Sequence, residues 1–172
     1  FGECRESVCI PSERETLIKL KHHLINPSNR LLSWNNSTSN SNCCHWPGVL
    51  CHNLTSHVLH LHLNTSLNAF YGDDYIFFDW KAHNYGFYGE FHEEAYERFQ
   101  FGGEISPCLA DLKHLNYLDF SGNPLLGEGM AIPSFLGTMT SLTHLNLSHT
   151  RFMGNIPSQI GNLSNLVYLD LG

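Results

Sequence analysis

Apolar residues recur in two rhythms along this chain. Near the amino terminus, Leu17, Leu20, Leu24 and Ile25 fall at helical spacing and form one face of an amphipathic helix. Ser12-Glu13-Arg14-Glu15 just ahead of them reads as a capping box, with Ser12 as N-cap and Glu15 at the third helical position. Asn26-Pro27 is the expected stop. From residue 58 the rhythm becomes strand-like. VLHLHL (Val58 to Leu63), LNYLDFSGN (Leu115 to Asn123), LTHLNLSHT (Leu142 to Thr150) and LVYLDLG (Leu166 to Gly172) share the frame L-x-x-L-x-L or come close to it.

The last three of these segments start 27 and 24 residues apart, which marks an internal repeat. Each repeat supplies a short strand whose alternate residues point inward: Leu118 and Phe120, Leu145 and Leu147, Leu169 and Leu171. A single repeat cannot bury its leucines, so neighbouring coils must stack into one continuous core. The residues between them face solvent. His60, Tyr117, His144 and Tyr168 form one outward column, and His62, Asp119, Asn146 and Asp170 the next. Asn123 turns the chain, with an amide able to bond backbone groups of adjacent coils. Thr150 stands in its place one repeat later, so that ladder is weaker there.

Composition narrows the function. The chain has 172 residues, 42% of them hydrophobic, and a net charge of −7. That size and apolar content fit one modest folded domain. An acidic chain with few clustered Lys and Arg is a poor nucleic-acid binder. No apolar run is long enough to span a membrane. Six cysteines, Cys4, Cys9, Cys43, Cys44, Cys51 and Cys108, admit a zinc site or a disulfide framework. Sequons at Asn35, Asn36, Asn53, Asn64, Asn146 and Asn162 favour a secreted glycoprotein, and so favour disulfides. Adjacent Cys43 and Cys44 project in different directions and call for separate partners.

The pattern L-x-x-L-x-L-x-x-N-x-L-x-G-x-I-P resembles the 24-residue leucine-rich repeat of plant extracellular proteins. LTHLNLSHTRFMGNIPSQIGNL follows it closely, with Thr150 in the Asn position. Residues 1–68 resemble the amino-terminal cap of the same family, found in receptor-like kinases, receptor-like proteins and polygalacturonase-inhibiting proteins. The resemblance implies an α/β leucine-rich repeat solenoid, a right-handed superhelix with parallel β-strands on its concave face and a disulfide-stapled helical cap. The expected organisation is a cap over 1–55, a first repeat strand over 56–67, an insertion over 68–100, and about three repeats over 101–172, the last incomplete. The end in mid-repeat suggests a fragment lacking a carboxy-terminal cap.

In the cap, the helix should cover the first coil, with Leu31, Leu32, Trp34 and Trp46 completing the lid. The resemblance pairs Cys9 with Cys43 and Cys44 with Cys51. Closing loops of these sizes stabilises by about 2–4 kcal/mol each. Cys4 and Cys108 have no place in the family pattern. A bridge between them, two free thiols, or pairing between chains all remain open.

The segment NAFYGDDYIFFDWKAHNYGFYGEFHEEAYERFQ, residues 68–100, interrupts the repeat frame. It concentrates aromatic residues and carries seven acids against Lys81 and Arg98. Its Tyr71, Tyr75, Trp80, Tyr85 and Tyr88 either pack on the flank of the solenoid or form a binding island. The outward columns, His60, His62, Tyr117, Asp119, His144, Tyr168 and Asp170, are the other candidate partner-binding residues. His57, His60 and His62 could in principle ligate a metal, yet solvated surface histidines explain the pattern. Asp119 and Asp170 suggest a glycosidase pair only weakly, since their repeats are two coils apart and no enclosed pocket is implied. No nucleophile elbow, P-loop or HExxH occurs.

The expectation is therefore a non-enzymatic recognition module of a plant cell-surface receptor-like protein, without cofactor or metal, in defence or developmental signalling. It would be secreted or displayed at the extracellular face of the plasma membrane. Its partners would be a protein or peptide ligand and a leucine-rich repeat receptor kinase as co-receptor. The alternative is a secreted inhibitor of a microbial cell-wall hydrolase.

Overall fold

A computed structural model describes residues 8–37, 41–65 and 100–172. Helix α1 spans Pro11–His23. It starts earlier than the capping-box reading placed it. Pro11 takes the first helical position, where its fixed φ fits and its missing N–H costs nothing. The carbonyl of Ile10 then accepts the amide of Arg14 at 2.9 Å, so Ile10 is the N-cap and Ser12 falls inside the first turn. Glu15 pairs instead with Lys19 one turn on, at 3.1 Å.

The helix also ends before Asn26-Pro27. Leu24–Ile25 leaves it as strand β1 and pairs antiparallel with β4, Gly102–Gly103. Gly103 sits at φ +84°, and a Cβ there would overlap the carbonyl oxygen of His23. Only glycine allows β4 to approach the end of the helix so closely. β4 runs parallel to β6, Leu125–Leu126, completing a three-stranded sheet. Leu17, Leu20 and Leu24 are buried, whereas Ile25 is left exposed by the change of rhythm.

The principal sheet has five strands in the order β2-β3-β5-β7-β8. They are Val49–Cys51, Val58–His62, Tyr117–Asp119, His144–Asn146 and Tyr168–Asp170. β2 is antiparallel to β3, and the other pairs are parallel. Short 3-10 turns at Pro107–Asp111, Ser134–Thr138 and Ser158–Asn162 carry the chain back along the opposite side. Between these layers run the leucines. Leu61, Leu118 and Leu145 are fully buried, as are Leu109, Leu115, Leu136 and Leu142. Leu169 is 43% exposed, in a strand with a neighbour on one side only.

The amino-terminal layer is stapled twice, by Cys9–Cys43 and Cys44–Cys51. The second bridge closes around Trp46, which stacks on Trp34 with centroids 5.6 Å apart. Trp34 Nε1 donates to the carbonyl of Pro47 at 3.1 Å, so the buried indole is satisfied. Leu31 joins this lid, but Leu32 is 69% exposed and does not. Cys108 is a free thiol lying 3.7 Å from the carbonyl oxygen of Thr16, so it takes part in no tether to Cys4. Cys4 itself lies outside the described residues.

Two polar junctions hold the layers in register. The carboxylate of Glu13, almost fully buried, accepts the backbone N–H of Val58 at 2.8 Å and Nδ1 of His57 at 2.9 Å. It thereby ties the cap helix to the first repeat strand. Asn123, entirely buried, donates to the carbonyls of Leu63 and Phe120 at 2.8 and 2.7 Å. Its Oδ1 accepts from Thr65 Oγ1 and from the amide of Phe101, both at 2.8 Å. Thr150, one repeat on, makes one such bond, to the carbonyl of Leu147.

Candidate functional site: a ladder of rings on the sheet face

Parallel strands lie about 4.7–4.9 Å apart, so residues in register form columns across the sheet. The register aligns His60, Tyr117, His144 and Tyr168. Successive centroids are 5.3, 5.3 and 5.9 Å apart, and interplanar angles fall from 36° to 26° to 21°. The rings lean on one another like stacked plates. Tyr117 and His144 therefore have ring neighbours on both sides, Tyr168 on the last strand keeps one face open, and the ring edges bear imidazole nitrogens and phenolic hydroxyls. His62 packs against Tyr117 from the side, at 4.4 Å, and edge-on to His60, at 5.6 Å.

This environment holds both β3 histidines below their ordinary pKa. For His60 the main cause is burial, followed by repulsion from His62 and His144. For His62 it is again burial, partly offset by the carboxylate of Asp119. Tyr117 is pushed up by burial and then by Asp119 and Tyr168.

The neighbouring column does different work. Asp119 Oδ1 accepts the amide of Ser121 at 2.9 Å. Asn146 Oδ1 accepts the amide and hydroxyl of Ser148 at 3.0 and 2.8 Å. Asp170 Oδ1 accepts the amide of Gly172 at 3.2 Å, and its Oδ2 accepts the hydroxyl of Tyr168 at 3.3 Å. Each residue closes the turn that leaves its strand, as short acid and amide side chains do. Asp119 is 4% exposed, so it is withdrawn from the surface and drops out as a contact residue.

His60, His62, Tyr117 and His144 are brought together half-buried on one face, with Tyr168 exposed beside them. Tyr71, Tyr75, Trp80, Tyr85 and Tyr88 lie outside the described residues. His57 does not join the ladder: it stacks on His114 at 3.8 Å and serves Glu13. The sulfurs of Cys43, Cys44 and Cys51 cluster closely, but all three are consumed in disulfides and offer no thiolate to a metal. Two supporting residues escaped the sequence pattern. Glu13 looks like an ordinary helical acid. Arg30 donates to Thr65 Oγ1 and the carbonyl of Asn64 at 2.8 and 2.9 Å, with its guanidinium 4.4 Å from the Phe101 ring. Nothing local in the sequence couples either residue to a distant strand.

Comparison with known proteins follows the same division of the chain. Residues 10–52 match the leucine rich repeat N-terminal domain, and residues 114–139 and 141–163 match the leucine rich repeat. Over 167 residues, 97% of its length, the chain is 32% identical to receptor-like protein EIX1 of Solanum lycopersicum. The chain belongs to the plant extracellular leucine-rich repeat family. It spans 14% of the length of that relative. Among solved structures, this leucine-rich repeat chain is similar to one in the BIR3–SERK2 complex of Arabidopsis thaliana. The TM-score is 0.64 at 28% identity, covering 91% of this chain and 65% of that one. It is also similar to one in the PEPR1–AtPEP1 structure, with a TM-score of 0.66 at 25% identity, covering 94% of this chain and 18% of that one. No helix among the described residues is long and apolar enough to cross a membrane.

Proposed function

We infer that this chain is a recognition module of a plant cell-surface receptor-like protein, displayed outside the cell, and that it binds a protein or peptide ligand without catalysis. In this reading the coils form a right-handed solenoid with the ring ladder on its concave side. A leucine-rich repeat receptor kinase is the expected co-receptor. The observation that carries the reading is the continuous column His60–Tyr117–His144–Tyr168 across four adjacent strands. Its exposed edges suit the amides and side chains of a polypeptide. The similar structures, PEPR1–AtPEP1 and the BIR3–SERK2 complex, support the same class of partner.

Panning a displayed library of random peptides on the secreted protein tests this. Enriched peptides should lose binding at least tenfold, about 1.4 kcal/mol, on Tyr117→Ser and on His144→Ala. Peptides that bind both variants as well as the wild type would remove the ladder from the contact. Dose-dependent inhibition of a fungal pectin hydrolase by the chain would replace this reading with the inhibitor one.

A further inference from the structure

The six sequons do not occupy equivalent places on the fold. Asn53 stands in an exposed turn, and Asn162 ends an exposed 3-10 turn on the side opposite the principal sheet. Asn35 has its amide engaged: Nδ2 donates to the carbonyl of Leu32 at 3.0 Å, while Oδ1 accepts the amide of Ser37. Asn146 and Asn64 are different because both belong to the sheet face. Asn146 is the last residue of β7, in register with Asp119 and Asp170. Asn64 lies two residues beyond His62, where β3 has just ended beside β5.

The local geometry of Asn146 leaves its glycan-bearing atom available. Both hydrogen bonds from Ser148, through its amide and its hydroxyl, end on Oδ1. Nδ2 has no hydrogen-bond partner among the described residues, and the side chain is only half-buried. The hydroxyl of the sequon's third residue thus already contacts the acceptor amide, while the nitrogen that would carry sugar stays unpaired. Asn64 likewise has no side-chain hydrogen bond among the described residues, since Arg30 uses only its backbone carbonyl.

Both sites sit at the carboxyl ends of the strands. At the amino ends the flanking positions are Asn116, Thr143 and Val167, none of which belongs to a sequon, and Val167 is 81% exposed. We propose that N-linked glycans on Asn64 and Asn146 fence the carboxyl-end side of the sheet, so that a polypeptide partner reaches the ring ladder only from the side of Asn116, Thr143 and Val167. This rests on the extracellular reading above and adds a direction of approach. The fence also explains why the neighbouring column can spend its side chains on turns: that column lies on the sugar side.

The test uses the whole chain secreted from plant cells. Glycopeptide mass spectrometry reads occupancy at each sequon, and Asn64 and Asn146 should both be occupied. Two single variants on the flanks of β5, Asn116→Cys and Ser121→Cys, are then labelled with a bulky polyethylene glycol maleimide, with labelling read separately from native Cys108. Labelling at position 121 should be severalfold slower than at 116, and the difference should close when Asn64→Gln and Asn146→Gln are added. Equal rates in the glycosylated protein would overturn the fence. A protein occupied at Asn53 or Asn162 but bare at Asn64 and Asn146 would overturn it too, leaving the extracellular reading intact. A secreted chain bare at every sequon would overturn both.

Discussion

Glu13 accepts the backbone N–H of Val58 at 2.8 Å across 45 positions of sequence, and this bond joins the cap to the first repeat. The carboxylate is nearly fully buried, and its second oxygen is taken by His57. Truncation to alanine leaves a buried amide without an acceptor and removes a charge-assisted bond. Glu13→Ala should therefore lower the unfolding free energy by about 2–3 kcal/mol, read from the midpoint of urea unfolding. Glu15→Ala, on the exposed side of the same helix, should cost less than about 0.5 kcal/mol.

Asn123 and Thr150 occupy equivalent positions in successive repeats, and the contrast between them is quantitative. Asn123 uses its amide for four strong bonds to three segments, and Thr150 uses its hydroxyl for one. Asn123→Thr should keep the bond to the carbonyl of Phe120 and lose the rest, costing about 2–4 kcal/mol given the buried groups left unsatisfied. Differential scanning calorimetry would show a large fall in melting temperature.

Two glycines of the 3-10 turns predict opposite behaviour. A Cβ on Gly137 would overlap the backbone carbonyl of Gln159 in the next coil, which has no flexible end to move aside. Gly137→Ala should destabilise by about 1–3 kcal/mol through forced separation of two coils. At Gly161 a Cβ meets nothing within 4 Å. Gly161→Ala should stay within about 0.5 kcal/mol of the wild type in the same urea titration.

The ring ladder makes stability depend on pH. His60 and His62 have folded pKa values below 6.5, because burial disfavours the charged form and, at His60, nearby histidines add repulsion. The unfolded chain therefore binds more protons over the interval from 6.5 down to the folded values. Stability is unaffected above that interval, falls as pH drops through it, and levels off below it. Thermal melts from neutral to acidic pH should show this decline. His60→Gln and His62→Gln should each flatten it, and His62→Gln also removes one source of the repulsion at His60. Unchanged slopes in both variants would mean that other groups control acid stability.

The strand leucines were legible because a period of two, repeated at nearly constant spacing, has few other physical readings. The register of the outward columns followed from that repeat. The helix boundaries were not legible in the same way. Ser12 and Pro11 both offer plausible starts, and the proline prevailed because Ile10 could supply the first carbonyl. Leu24 and Ile25 continue the helical spacing, yet a pair of glycines more than seventy residues away draws them into a sheet. The tilt of the rings, the burial of Asp119 and the latch at Glu13 depend on contacts between distant segments. No local pattern encodes those contacts.

The amide of Asn123 has one consequence beyond stability. A single oxygen accepts both Thr65 and Phe101, which stand on either side of segment 66–99 in the sequence. Departure and return are thus pinned at one point of the sheet, whatever the chain does between them. Doubling the length of such an excursion costs only about 0.6 kcal/mol of closure entropy. Mutation could therefore lengthen, shorten or rewrite the intervening text while the repeats on both sides keep their register, giving the lineage a place to experiment without rebuilding its scaffold.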